Sequence, residues 1–363
     1  MTLSAGTLVQ GVAQPNGNKL LALEIGRAVA ALMVVFHHAD QATAHFSMVD
    51  VPRVAVWGQY GVDFFFVLSG FIIYHTHRAD PPGATPATRY LSKRLTRIFV
   101  PYLPIALSYM ALLAVAQPAA SRDWGFWASL TLFPMEKSSV LTVAWTLSYE
   151  LLFYTLFILR YVHRRVFFAV AAIWVAYLLA MMTGLYTGPA EPAIAVALAN
   201  PIVLEFFCGI AAAYFLPRIK PVWRGPLLAA GLVGLVVVVL TWSGNRVFLA
   251  PPISLIVLAG ALLKIEPRGM FLRAAVILGA ASYAVYLIHS PIISILARLL
   301  EPFGWRWGTF LICTTAGVAI GLIYHFIIER PAIRIARTRL HSGSPGRRSA
   351  NMATTTFNDR NIS

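Results

Sequence analysis

The sequence predicts an all-α fold: a polytopic membrane protein of about ten transmembrane helices, with both termini cytoplasmic. Three observations predict it. Of 363 residues, 58% are hydrophobic and 12% charged, with a mean hydropathy of +0.71, whereas a soluble domain carries roughly 25% charged residues. Apolar stretches near the roughly 20 residues that cross a hydrocarbon core recur along the chain, joined by short polar connections. With the N-terminus inside, the cytoplasmic segments collect the large majority of the 29 lysines and arginines, as the positive-inside rule requires.

The same composition excludes other classes. The net charge of +15 is explained by orientation in the bilayer, so no nucleic-acid partner is implied. Cys208 and Cys313 lie in apolar stretches, which implies neither a disulfide framework nor a metal site. Residues 1–18 are polar and lack a basic start followed by an apolar core, so no cleaved signal peptide is read there. The spans fall near 20–39, 57–77, 98–116, 142–161, 166–185, 201–217, 226–242, 247–263, 274–296 and 308–329. This divides the chain into a polar segment (1–18), a membrane domain (19–335) and a basic, disordered cytoplasmic tail (336–363). The aromatic stretch "DWGFWASLTLF", residues 123–133, is too short to span and fits the outer interface.

An ionisable side chain at the centre of a membrane helix costs at least about 2.5–3.5 kcal/mol, so each one marks a candidate site. In "EIGRAVAALMVVFHHAD", residues 24–40, helical geometry puts Arg27 and His38 roughly 20° apart around the axis and about 16 Å apart along it. Glu24 lies on the same side, and His37 points elsewhere. In "GQYGVDFFFVLSGFIIYHTH", residues 58–77, Asp63 enters from the outer side, where it could orient an imidazole or cap a helix. His75 and His77 read as interfacial side chains at the cytoplasmic exit. In "RYLSKRLTRIFVPYLP", residues 89–104, Arg94 and Arg97 share a helical face and could grip a phosphate. The spacing alone equally fits a topogenic cluster. "AWTLSYELLFY", residues 144–154, buries Glu150 with Tyr154 on its face and Trp145 off it. "ASYAVYLIHSPI", residues 281–292, carries His289 in an outer half, and "IIERPAIR", residues 327–334, ends on a proline-stopped exit. Asp63, His38, Glu150 and His289 therefore read as an outer acid–base cluster, with Arg27, Arg94 and Arg97 lying inward.

The segments "GRAVAALMVVFHHA", "GVDFFFVLSGFIIY", "KRLTRIFVPY", "WTLSYELLFY", "SYAVYLIHSP" and "IERP" resemble, in this order, the signature segments of the acyltransferase 3 family. They are most similar to the branch that decorates bacterial exopolysaccharides. The resemblance implies a multi-pass enzyme of the bacterial inner membrane that moves an acyl group, acetyl by default, from cytoplasmic acyl-CoA to a sugar hydroxyl. Acyl-CoA would be a co-substrate, with no permanently bound cofactor and no metal. The family's arginine–ten residues–histidine pattern falls on Arg27 and His38, its arginine pair on Arg94 and Arg97, its buried acid on Glu150 and its Tyr-Leu-Ile-His position on His289.

The expected mechanism gives His38 the role of general base, with Asp63 or Glu150 holding its tautomer. Arg27, Arg94 and Arg97 bind the coenzyme A phosphates, and Trp145, Tyr154 and His289 are candidate substrate contacts. A covalent acyl-histidine is the mechanistic rival. The partners implied are a saccharide acceptor, open to being lipid-linked, and the bilayer. A transporter or flippase of lipid-linked saccharides is the alternative function, although the repeat symmetry such folds usually show is not visible.

Overall fold

The computed structural model describes residues 20–46, 53–116, 124–241, 246–266 and 268–342. The polar segment 1–18 and the tail beyond 342 lie outside the described residues. Among the described residues there is no strand, only an isolated bridge between Trp124 and Ser138. The chain is all-α. Its long helices are α1 (Leu21–Phe46), α2 (Gly61–His77) and α3 (Ala84–Ala116). After the six-residue α4 (Phe126–Thr131) come α5 (Trp145–Val162) and α6 (Arg164–Met182). Then follow the short α7 (Ala193–Leu198), α8 (Val203–Phe215), α9 (Arg224–Thr241) and α10 (Ala250–Leu262). Finally, α11 (Met270–Leu300) and α12 (Arg306–Tyr324) lead through a π-turn at His325–Glu329 into α13 (Arg330–Ser342).

Among the described residues, eight helices are long and apolar enough to cross a membrane. The stretches read as spans near 201–217 and 247–263 form α8 and α10, of 13 residues each. At 1.5 Å per residue each rises about 20 Å, against a hydrocarbon core of about 30 Å. Prolines mark three of these four ends: Pro201 precedes α8 and Pro217 follows it, and Pro251 and Pro252 open α10. A second difference lies at the C-terminal end. Residues 336–342, expected to be disordered, continue α13, because the π-turn carries the helical backbone past Pro331 with the proline at an early helical position, where it lacks no needed N–H.

α1 packs between α2 on one side and α11 and α12 on the other, while α8 lies along α2 and α10 against α9. With no hydrophobic driving force between helices in lipid, small residues that admit close backbone approach decide such contacts. The α2–α8 pair is reciprocal: a side chain at Gly70 would run into the Phe206 carbonyl, and one at Gly209 into the Val67 carbonyl. Two tyrosine hydroxyls tie the C-terminal helices to α3 beside its internal Pro101: Tyr283 donates to the Ile98 carbonyl at 3.1 Å and Tyr324 to the Pro101 carbonyl at 2.7 Å. This frame leaves a space between α1, α2, α3, α5 and α11.

Overpacking at the α2–α8 contact should be costly. Gly209→Leu is expected to lose about 1–3 kcal/mol of stability, read as a lowered midpoint in thermal unfolding of the detergent-solubilised protein, while Gly225→Ala, where nothing lies within 4 Å, changes little.

Candidate active site

The space between these helices is a cavity of about 380 Å³. Arg27 from α1, Arg94 and Arg97 from α3, Glu150 and Tyr154 from α5, and Ser69 from α2 all line it. These side chains converge because, for a polar group on a largely apolar helix, burial in the bundle is the only alternative to lipid. The lining holds three guanidinium groups and two carboxylates, Glu24 and Glu150. Glu24 pairs with Arg27 at 3.3 Å, one helical turn away. Glu150 accepts hydrogen bonds from Ser69 Oγ at 3.3 Å and from the Tyr154 hydroxyl, which is closer still. Arg97 stands over the Tyr283 ring and Arg94 over those of Tyr90 and Tyr154, contacts that hold a planar cation in place. From the π-turn, Glu329, which is paired with His325 at 2.7 Å, sends its charge toward Arg97.

Arg94 has a further support that the sequence did not reveal. Its Nη2 donates to His77 Nε2 at 2.9 Å, and His77 Nδ1 donates to Asp80 Oδ2 at 2.8 Å. That carboxylate also accepts the Tyr161 hydroxyl at 2.8 Å. Partial burial works against ionising Asp80, but the hydrogen bonds from His77 and Tyr161 outweigh it and hold its carboxyl below the usual range, so it is ionised at neutral pH. His77 is thus neutral, with its proton on Nδ1, and is buried between α2 and α3 rather than lying at an interface.

Toward the other end of α1, His38 meets His289. His289 Nδ1 donates to the Val285 carbonyl at 3.0 Å, and His38 Nδ1 to the Val34 carbonyl at 3.0 Å. His289 Nε2 lies 3.1 Å from His38 Nδ1. Because both carbonyls can only accept, both Nδ1 atoms carry protons. His289 Nε2 is then the acceptor facing His38, and the free lone pair of the dyad falls on His38 Nε2. His289 is buried, His38 half-buried. Neither lines the cavity, whose outermost lining includes Thr146 and Tyr286. The Tyr286 hydroxyl donates to the Val143 carbonyl at 3.2 Å and meets Thr146 Oγ1 at 3.0 Å, while its ring lies 5.8 Å from that of His289. Tyr286 therefore touches both, lining the cavity and meeting the histidine pair with its ring.

The expected outer cluster is therefore divided among three places, and two expectations require correction. Asp63, fully buried, does not reach His38: it forms a bidentate pair with Arg246, at 2.6 and 3.3 Å. Glu150 does not reach it either, since it belongs to the arginine-lined cavity. The imidazole's companion is His289. Trp145 packs on Phe66 and Tyr149 at the start of α5, outside the cavity lining, whereas Tyr154 is inside it. Asp40, overlooked although it lies two residues beyond His38, is buried and pairs with Arg306 at 3.2 Å and Arg53 at 3.6 Å. It also accepts the Ala55 N–H at 3.1 Å, fastening the segment after α1 beside the histidines. A carboxylate so close to a buried imidazole was the available signal. Arg246, in a connection between two apolar stretches, offered none.

Comparison with known proteins agrees with this architecture. A family model described as an acyltransferase domain matches residues 20–326. The chain is 27% identical over 332 residues to the exopolysaccharide production protein ExoZ of Rhizobium meliloti (strain 1021), an alignment covering 86% of this chain and 99% of that protein. No solved structure matches.

The Asp63–Arg246 pair generates a stability prediction. Arg246→Gln strands a buried carboxylate and is expected to cost about 3–5 kcal/mol. Asp63→Asn combined with Arg246→Gln should recover most of that loss, as measured by thermal unfolding; equal stability of the two variants would show that the pair is not what Asp63 depends on.

Proposed function

The chain belongs to the acyltransferase 3 family, and from that premise we propose that it is an O-acyltransferase of the bacterial inner membrane. It takes an acyl group, acetyl in the simplest case, from acyl-CoA on the cytoplasmic side. The acceptor is a hydroxyl of a saccharide destined for an exopolysaccharide. One observation carries this reading: an arginine-lined cavity on one side of Tyr286 and a histidine pair with an available lone pair on the other. The similarity to a protein of exopolysaccharide production supports the choice of acceptor.

Arg27, Arg94 and Arg97 hold the pyrophosphate and ribose phosphate of the donor, for which forked guanidinium groups are better suited than ammonium. The roughly 16 Å rise from Arg27 to His38 suits a donor whose phosphates stay at one end while its extended arm carries the thioester past Tyr286. His38 Nε2 removes the proton of the sugar hydroxyl as its oxygen bonds to the thioester carbonyl carbon. The carbon–sulfur bond then breaks, the acyl group remains on the sugar oxygen, and the departing thiolate takes the proton back from His38. As His38 gains its positive charge, its Nδ1–H bond to His289 Nε2 strengthens. The neutral His289, rather than a carboxylate, is the group that keeps Nε2 free. His77 holds Arg94 toward the donor.

Three measurements test this assignment with the protein reconstituted in nanodiscs. His38→Ala is expected to lower acceptor-dependent release of coenzyme A from acetyl-CoA by about 10²–10⁴-fold in kcat, with the donor KM little changed. Acyl label building up on His38 in the absence of acceptor would replace the base mechanism with a covalent one. His77→Ala is expected to raise the donor KM by about tenfold, the worth of a hydrogen bond to a charged group, with a smaller effect on kcat; a pure kcat loss would remove His77 from donor binding.

A further inference from the structure

The arginines on either side of α6 and α8 read in the sequence as orientation signals, and the proposed reaction makes no use of them. The structure brings them to one surface. A groove of about 780 Å³ runs between α6 and α8, with Arg164 and Arg165 at one end of it. Two aromatic rings on its walls, Phe168 and Tyr214, lie 6.4 Å apart. The Arg164 guanidinium stacks over Phe168 at 5.6 Å, and that of Arg218 over Tyr214 at 4.5 Å. Arg218 is braced further by donating to the Tyr214 carbonyl at 2.8 Å. Guanidinium groups are thus held on both walls of one mouth, and no carboxylate lines the groove.

Beyond that mouth the lining is apolar, with Ala171, Ala172 and Ala211 leaving room. From Arg164 to Val175 the wall rises about 16 Å, close to half of a hydrocarbon core about 30 Å thick. The groove is separate from the arginine-lined cavity and shares no residue with it. Beyond the mouth, where Tyr214 and the arginines lie, no polar side chain among the described residues lines it to recognise a nucleotide or a sugar. Its chemistry is that of a fixed anion at one end and a hydrocarbon chain one leaflet long. We propose that this groove is a binding site for an anionic phospholipid, its phosphate diester held by Arg164, Arg165 and Arg218 and one acyl chain lying along the alanine-lined wall.

The test is native mass spectrometry of the full chain released from nanodiscs of mixed phosphatidylglycerol and phosphatidylcholine, with thermal unfolding as a second readout. The wild type is expected to retain one phosphatidylglycerol per chain, enriched about tenfold or more over phosphatidylcholine, and to unfold at higher temperature when phosphatidylglycerol is present. Both effects should vanish in the Arg164→Gln/Arg165→Gln/Arg218→Gln variant, which removes the charge. They should vanish too in Ala172→Trp, which fills the groove and leaves the charge in place. Unfolding in pure phosphatidylcholine shows whether each variant is folded, and either one alone suffices. Equal retention of the two lipids, unchanged retention in a folded variant, the same stabilisation by inorganic phosphate, or recovery of a polyprenyl phosphate in place of the phospholipid would each overturn the proposal.

Discussion

Lipid offers no hydrogen bonds, so every charge this chain carries into its helices must be answered from within the protein. The bundle is organised by those answers. Asp63 on α2 is matched by Arg246 at the entry to α10, and Asp40 on α1 by Arg306 at the first turn of α12. Each pairing joins elements far apart in the chain, so it specifies which helices become neighbours as well as offsetting the cost of burial. Close glycine contacts such as Gly70 with the Phe206 backbone then allow those neighbours to approach. The arginine-lined cavity departs from this rule, because its three guanidinium groups outnumber the carboxylates lining it. In the proposed reaction that imbalance in the lining is what an anionic donor would meet.

How much of this was legible in the sequence follows from how local each signal is. Hydropathy and the placement of basic residues identify an all-α membrane protein, because both act segment by segment. The i,i+3 spacing anticipates that Glu24 and Arg27 meet, and helical geometry alone puts Arg94 and Arg97 on one face. Pairings over long separations leave no such trace: His38 and His289 are 251 residues apart, and Asp63 and Arg246 are 183 apart. Assigning Asp63 or Glu150 to His38 relied on similar depth in the membrane, but depth does not determine which helix faces which. His77 was missed for the converse reason. Its position near a helix end suggested exposure, while the fold covers that end with Tyr90 and Phe157.

The short helices show the limits of composition. α8 and α10 are as apolar as any spanning segment, yet each is only 13 residues long. Buried against α2 and α9, they fill the bundle, and their length is set by the packing of their neighbours. The continuation of α13 to Ser342 is similar: it rests on a π-turn whose glutamate is buried beside α3, a tertiary support that the polar composition of the segment does not announce.

Tyr286 carries an electrical consequence. A protein that admits a charged donor from one side of an energised membrane and an acceptor from the other must avoid becoming a conduit for ions. The bilayer potential falls across whatever barrier separates the two aqueous sides, at about 2.3 kcal/mol per unit charge for each 100 mV. In the proposed reaction that barrier is Tyr286, clasped to Thr146 and Val143. The donor's phosphates would remain on the arginine side, and only the uncharged thioester arm would pass through the field. Transfer would then proceed at nearly the same rate in a resting or an energised cell, and would leave the membrane potential intact.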